Sequence, residues 1–95
     1  MALARVVAFN GVSQDRVEQM KKEMADSDPP EGLNATELII LSDPDAEQAL
    51  AIVFFADEDD YRRGDEILSA IPSDDTPGAR ASVTRYEVAI RRTMA

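Results

Sequence analysis

A chain of 95 residues with an apolar fraction of 44% is sized for one domain with a real core, so neither disorder nor a multidomain arrangement is expected. It has no cysteine and no histidine, which removes disulfides, thiolate nucleophiles, imidazole bases and the commonest metal ligands together. Nineteen acids against ten bases give a formal charge of -9, which repels nucleic acid and anionic lipid surfaces instead of attracting them.

The N-terminal "MALARVVAFNGV" is too short and too interrupted by Arg5 to read as a signal peptide, and no apolar run approaches the roughly 18 to 20 residues of a membrane span. A cytoplasmic protein is the expectation. Residues 3 to 9, "LARVVAF", read as a first strand that ends in the Asn10-Gly11 turn. Ser13 is placed as the N-cap of a first helix, with Val12 stapled to Val17. Val17, Met20 and Met24 form its apolar stripe, Glu18 and Lys22 pair on its outer face, and it ends near Asp26. "SDPPEG", residues 27 to 32, is a loop, since its prolines and glycine suit neither helix nor ladder.

Residues 36 to 42, "TELIILS", and 49 to 56, "ALAIVFFA", flank the polar "DPDAEQ" and read as an antiparallel pair. A second helix runs from about Glu58 to Ala70. Tyr61, Gly64, Leu68 and Ile71 line one of its faces, Ile67 flanks them, and Pro72 stops it. "PSDDTPGA", residues 72 to 79, is a second loop. Residues 80 to 92, "RASVTRYEVAIRR", alternate Tyr86, Val88 and Ile90 with more polar neighbours and read as the last strand. The order is βαββαβ, an α+β ferredoxin-like arrangement with a four-stranded antiparallel sheet and both helices on one face.

The third strand is apolar on both sides: Ala49, Ala51, Val53 and Phe55 on one, Leu50, Ile52, Phe54 and Ala56 on the other. In the second strand Leu38 and Ile40 oppose Ile39 and Leu41 in the same way. Two helices cover one face only, so the second face implies a homodimer packed sheet to sheet.

The charged motifs favour structure over chemistry. Consecutive helical side chains are spread about 100° apart, so Asp57, Glu58, Asp59 and Asp60 fan outwards and suit a helix start: Asp57 as N-cap, Asp60 at N3, Glu58 and Asp59 at the positive end of the dipole. No metal site is expected there. "DPDAEQ" opens like a calcium loop but has Gln48 and Phe54 where that loop needs glycine and glutamate. The four glycines make no dinucleotide fingerprint or phosphate loop, and "ALAIVFFA" lacks the basic and glycine residues of an RNA-recognition strand. Arg80, Arg85, Arg91 and Arg92 crowd into the last sixteen residues, which reads as a solvated basic strand. The polar groups left to line a cleft between sheet and helices are Asn10, Tyr61, Tyr86 and Arg5. Gly64 in mid-helix costs roughly 1 kcal/mol against alanine, which a close helix-to-sheet approach or room for a ligand would offset.

With its first strand ending in "AFNG", the hairpin "ELIILSDPD…ALAIVFFADEDD", the helix "YRRGDEIL" and the closing "YEVAIRR", almost the whole chain resembles the dimeric α/β-barrel superfamily. It looks most like small relatives of the antibiotic-biosynthesis monooxygenases. The resemblance implies a homodimer with a site in each subunit between sheet and helices, and no cofactor. One implied activity is a cofactor-independent monooxygenase acting on a quinol or aromatic polyketide-like substrate, in which Asn10 with Tyr61 or Tyr86 holds an enolate or phenolate. Haem degradation in this superfamily uses tryptophan and histidine, which this chain lacks. The preferred expectation is a homodimer that binds a small apolar or aromatic ligand and is not an enzyme.

Overall fold

The computed structural model describes residues 2–26, 30–71 and 78–94, the side chain of Asp26 excepted. Its elements are β1 (Leu3–Asn10), α1 (Gln14–Asp26), β2 (Glu37–Asp43), β3 (Gln48–Phe55), α2 (Glu58–Ser69) and β4 (Ala79–Glu87). The strands form one antiparallel sheet in the order β2-β3-β1-β4, the ferredoxin-like βαββαβ topology expected. The expected stop at Pro72 and parts of both expected loops lie outside the described residues.

Register sorts the side chains because strand residues alternate between faces. Leu3, Arg5, Val7 and Phe9 of β1 stand beside Phe55, Val53, Ala51 and Ala49 of β3, and this set faces the helices. Leu3, Val53, Phe55 and Tyr61 form one buried cluster under α2, closed by Leu33, Ala35 and Leu68. Val7, Phe9, Val12 and Ala49 form a second, with Val17 of α1 packed on it. Each fully buried valine or phenylalanine contributes about 1.5–3 kcal/mol. The surface pairs Arg16–Glu23 and Lys21–Glu18 contribute up to about 1 kcal/mol each, so the apolar clusters hold the sheet to its helices.

Both helix starts follow from local chemistry. The Ser13 hydroxyl accepts from the Arg16 amide at 3.2 Å, and Val17 packs on the cluster that holds Val12, in keeping with a staple. Asp57 is extended, and its carboxylate accepts from the Asp60 amide at 2.9 Å. On the outer face of α1, Glu18 pairs with Lys21 at 3.1 Å, a three-residue step, and not with Lys22.

The last strand is shorter than expected. It stops at Glu87, opposite Leu3, where β1 itself begins. Only Val88 continues the pattern, donating its amide to the Ala2 carbonyl at 2.9 Å. Residues 88–94 then leave the ladder. Arg91 lies 4.8 Å from the centre of the Phe54 ring with its guanidinium against the Glu37 carboxylate, so this arm crosses the sheet face opposite the helices. The rest of that face carries half-buried Val6, Ala8, Ile39 and Ile52 beside the more exposed Leu50 and Leu41.

Candidate functional site

The described residues form recesses on both faces of the sheet. The first is a cleft of about 200 Å³ between α1 and β2, lined by Val17, Met20, Lys21, Met24, Leu38, Ile40 and Ser42. Leu38 and Ile40 lie opposite Val53 and Ala51 and so belong to the helix-facing side of the sheet. The apolar stripe of α1 is three residues long and buries only Met20 fully, leaving Met24 and Leu38 about half exposed. The cleft is therefore apolar where a helix of fuller stripe would close it, and its methionines adapt to differently shaped occupants. The second recess, about 490 Å³, lies on the opposite face at the Asn10 end of the sheet.

A third feature is polar. Arg5 projects from β1 toward α2, is 3% exposed, and donates from Nε to the Asp65 carboxylate at 2.9 Å and from a terminal nitrogen to the Ser69 hydroxyl at 3.2 Å. Its neighbour across the ladder is Arg85, whose guanidinium lies 5.6 Å from the centre of the Tyr61 ring and 3.7 Å from a Glu58 oxygen. Tyr61 meets Phe55 edge-on at 5.5 Å and 75°. Burial pushes the Tyr61 phenol above its ordinary pKa, with Asp65 adding to the rise and the two guanidiniums opposing it. The phenol is held neutral, as a hydrogen-bond donor.

The expected polar groups are not gathered into one place. Tyr61 lies at the Leu3 end, on the helix side. Tyr86 sits opposite Ala4 on the other face and is exposed. Asn10 is exposed at the far end of β1, where its side-chain oxygen accepts from the Gln48 side-chain Nε2 at 3.4 Å. Six residues separate Asn10 from Ala4 and seven from Leu3, so roughly 20 Å lie between Asn10 and either tyrosine within one protomer. Arg5, with Asp65 and Ser69, ties α2 to the sheet. The cluster of acids at 57–60 starts α2, with Glu58 drawn toward Arg62 and Arg85, and no group of three or more acids among the described residues converges as a metal site.

Sequence reasoning named Val17, Met20 and Met24 as one stripe but not the gap they leave over β2. The signal was there: Leu38 and Ile40 are matched by too few apolar residues on α1. The Asn10–Gln48 contact had no such signal, since it depends on the register of β1 against β3.

No helix among the described residues is long and apolar enough to cross a membrane. In comparisons with known proteins, no family matches the chain, and neither a curated protein nor a solved structure is similar enough to count as a match.

Proposed function

We propose that the chain acts as a homodimeric α/β-barrel protein that binds a small apolar or aromatic ligand between its sheet and helices, in the cleft of α1 and β2. The observation that carries this reading is the Met20–Met24 side of that cleft facing Leu38 and Ile40, apolar surface left open on the helix-facing side of the sheet. Burial of such surface favours occupation by about 25 cal/mol for each Å² removed from water. The homodimer is supported by Val6, Ile39, Leu41, Leu50 and Ile52 on the opposite face, which α1 and α2 do not cover.

Titration with indole, 1-naphthol and a neutral alkyl alcohol, followed through methyl resonances of the four methionines, tests the cleft. Saturable shifts confined to Met20 and Met24 are the expected result. Unmoved resonances with all three probes overturn it.

The second reading, a cofactor-independent monooxygenase acting on a quinol or aromatic polyketide-like substrate, has one feature in its favour. Tyr61 is a neutral donor flanked by Arg5 and Arg85, suited to an anionic oxygen, as such catalysis requires. Asn10 is too distant to share that substrate with it inside one protomer, and Tyr86 lies on the opposite face of the sheet. Oxygen uptake with a hydroquinone that disappears in Tyr61→Phe, the fold being intact, would move the assignment to this reading.

A further inference from the structure

The face of the sheet turned away from the helices is unequal along its strands. At the Leu3 end the chain covers it with its own arm, residues 88–94, which runs from the edge of β4 over β1 and β3 until Arg91 reaches Phe54 of β3 and Glu37 of β2. At the Asn10 end lies the recess of about 490 Å³, with Ala8, Leu41 and Leu50 for its floor and Asn10, Asp43 and Gln48 at its rim. That volume falls in the range of roughly 300–1,000 Å³ typical of occupied sites.

The arm and the recess are complementary. Arg91 turns toward its own sheet, while Ile90, Arg92 and Met94 are exposed. Ile90 and Met94 are 86% and 80% exposed. These are two apolar side chains on either side of a cation. The recess offers an apolar floor beside Asp43, with Asp45 and Glu47 following in the β2–β3 turn. In a chain of net charge -9, a basic arm finds its opposite at this acidic turn.

Symmetry brings the two together. For sheets packed face to face, a two-fold axis in the interface plane and perpendicular to the strands keeps β2 over β2 and reverses the strand direction. The arm end that has reached β2 at the Leu3 end then stands over the partner's β2–β3 turn at the Asn10 end. An axis parallel to the strands would instead lay β2 over the partner's β4 and bring both arms to the Leu3 end, leaving both recesses at the Asn10 end without one.

Resting on the homodimer reading above, we propose that the two-fold runs across the strands and that each protomer's arm, through Arg92 and Met94, fills the other protomer's recess beside Asp43 and Leu41. The recess is in this arrangement an interface pocket whose occupant is a second copy of this chain.

The chain has no cysteine, so paired cysteines report the contact cleanly. Met94→Cys with Leu41→Cys, both at exposed positions, should give a covalent dimer under mild oxidation, while Met94→Cys alone should not. Sedimentation velocity of the unmodified protein is run beside it. In the same assay Arg92→Glu and Asp43→Arg should each raise the dimer dissociation constant by about tenfold, two pairs being lost per dimer, and the double reversal should recover most of that loss. A dimer in which the paired cysteines do not link, or in which Met94→Cys links by itself, overturns the arm placement and leaves the homodimer standing. A monomer at all accessible concentrations overturns both.

Discussion

Tyr61 shows how one side chain takes its properties from residues distant in sequence. Its ring completes the cluster of Leu3, Val53 and Phe55, and its hydroxyl stands among Asp65, Arg5 and Arg85. Burial dominates and raises its pKa, so the folded protein holds the proton more tightly than the unfolded chain does. Below the unfolded value of about 10 both states are protonated and the contribution to stability is fully present. As pH rises past that value the unfolded chain ionises first, and stability is lost up to the folded pKa. A Tyr86→Phe variant isolates the signal: its remaining phenol should titrate above about pH 10 by phenolate absorbance, and its urea midpoint should fall over the same range. In Tyr61→Phe that part of the alkaline loss should be absent. Tyr61 was legible as a core residue from its place on the apolar face of α2. Arg5 was legible as a polar group between sheet and helices but its ion pair was not, because its partners Asp65 and Ser69 are 60 and 64 positions away and nothing local marks them.

Elements were legible where their signals are local. Ser13 and Asp57 mark the helix starts by side chains that reach amides three residues on, and both starts stand where the sequence places them. The end of β4 was not legible, since Tyr86, Val88 and Ile90 keep alternating past the point where β1 ceases to offer a partner. A strand ends where its neighbour ends, and that is a property of register. Gly64 joins both kinds of information. Its cost within a helix is visible in the sequence, and its compensation is the close approach of α2 to the sheet: a methyl group there would overlap the Phe55 ring, with Leu33 next to it at 3.3 Å. Phe55 is fully buried and has no room to turn aside. Gly64→Ala gains about 1 kcal/mol in helix propensity and meets an overpacking cost of about 1–3 kcal/mol. The expected outcome is a net loss, read as a lower urea midpoint at unchanged slope. A gain in stability would mean that α2 shifts away from β3 at little cost.

At the scale of the molecule, the informative sequence feature is a third strand apolar on both sides. The structure divides its residues cleanly: Ala49, Val53 and Phe55 are buried toward the helices, while Leu50, Ile52 and Phe54 face the other way and are only partly covered. The arm reaches Phe54 at the Leu3 end of that face, where Ala4 is also buried. Ile52 lies near the middle of that face, between Ile39 of β2 and Val6 of β1, and belongs to neither core cluster. A charge placed there discriminates between a surface and an interface. On a free surface Ile52→Lys changes little, because the ammonium reaches water and its stem covers the neighbouring side chains. At the centre of a sheet-to-sheet interface two lysines face a dry, like-charged environment, with a penalty of several kcal/mol and each 1.4 kcal/mol worth tenfold in affinity. If the proposed homodimer forms through this face, Ile52→Lys should therefore sediment as a monomer at concentrations where the unmodified chain is dimeric, with its far-ultraviolet circular dichroism unchanged. Equal dimerisation of both proteins would place the interface elsewhere and leave the apolar side of β2, β3 and β1 as simple surface.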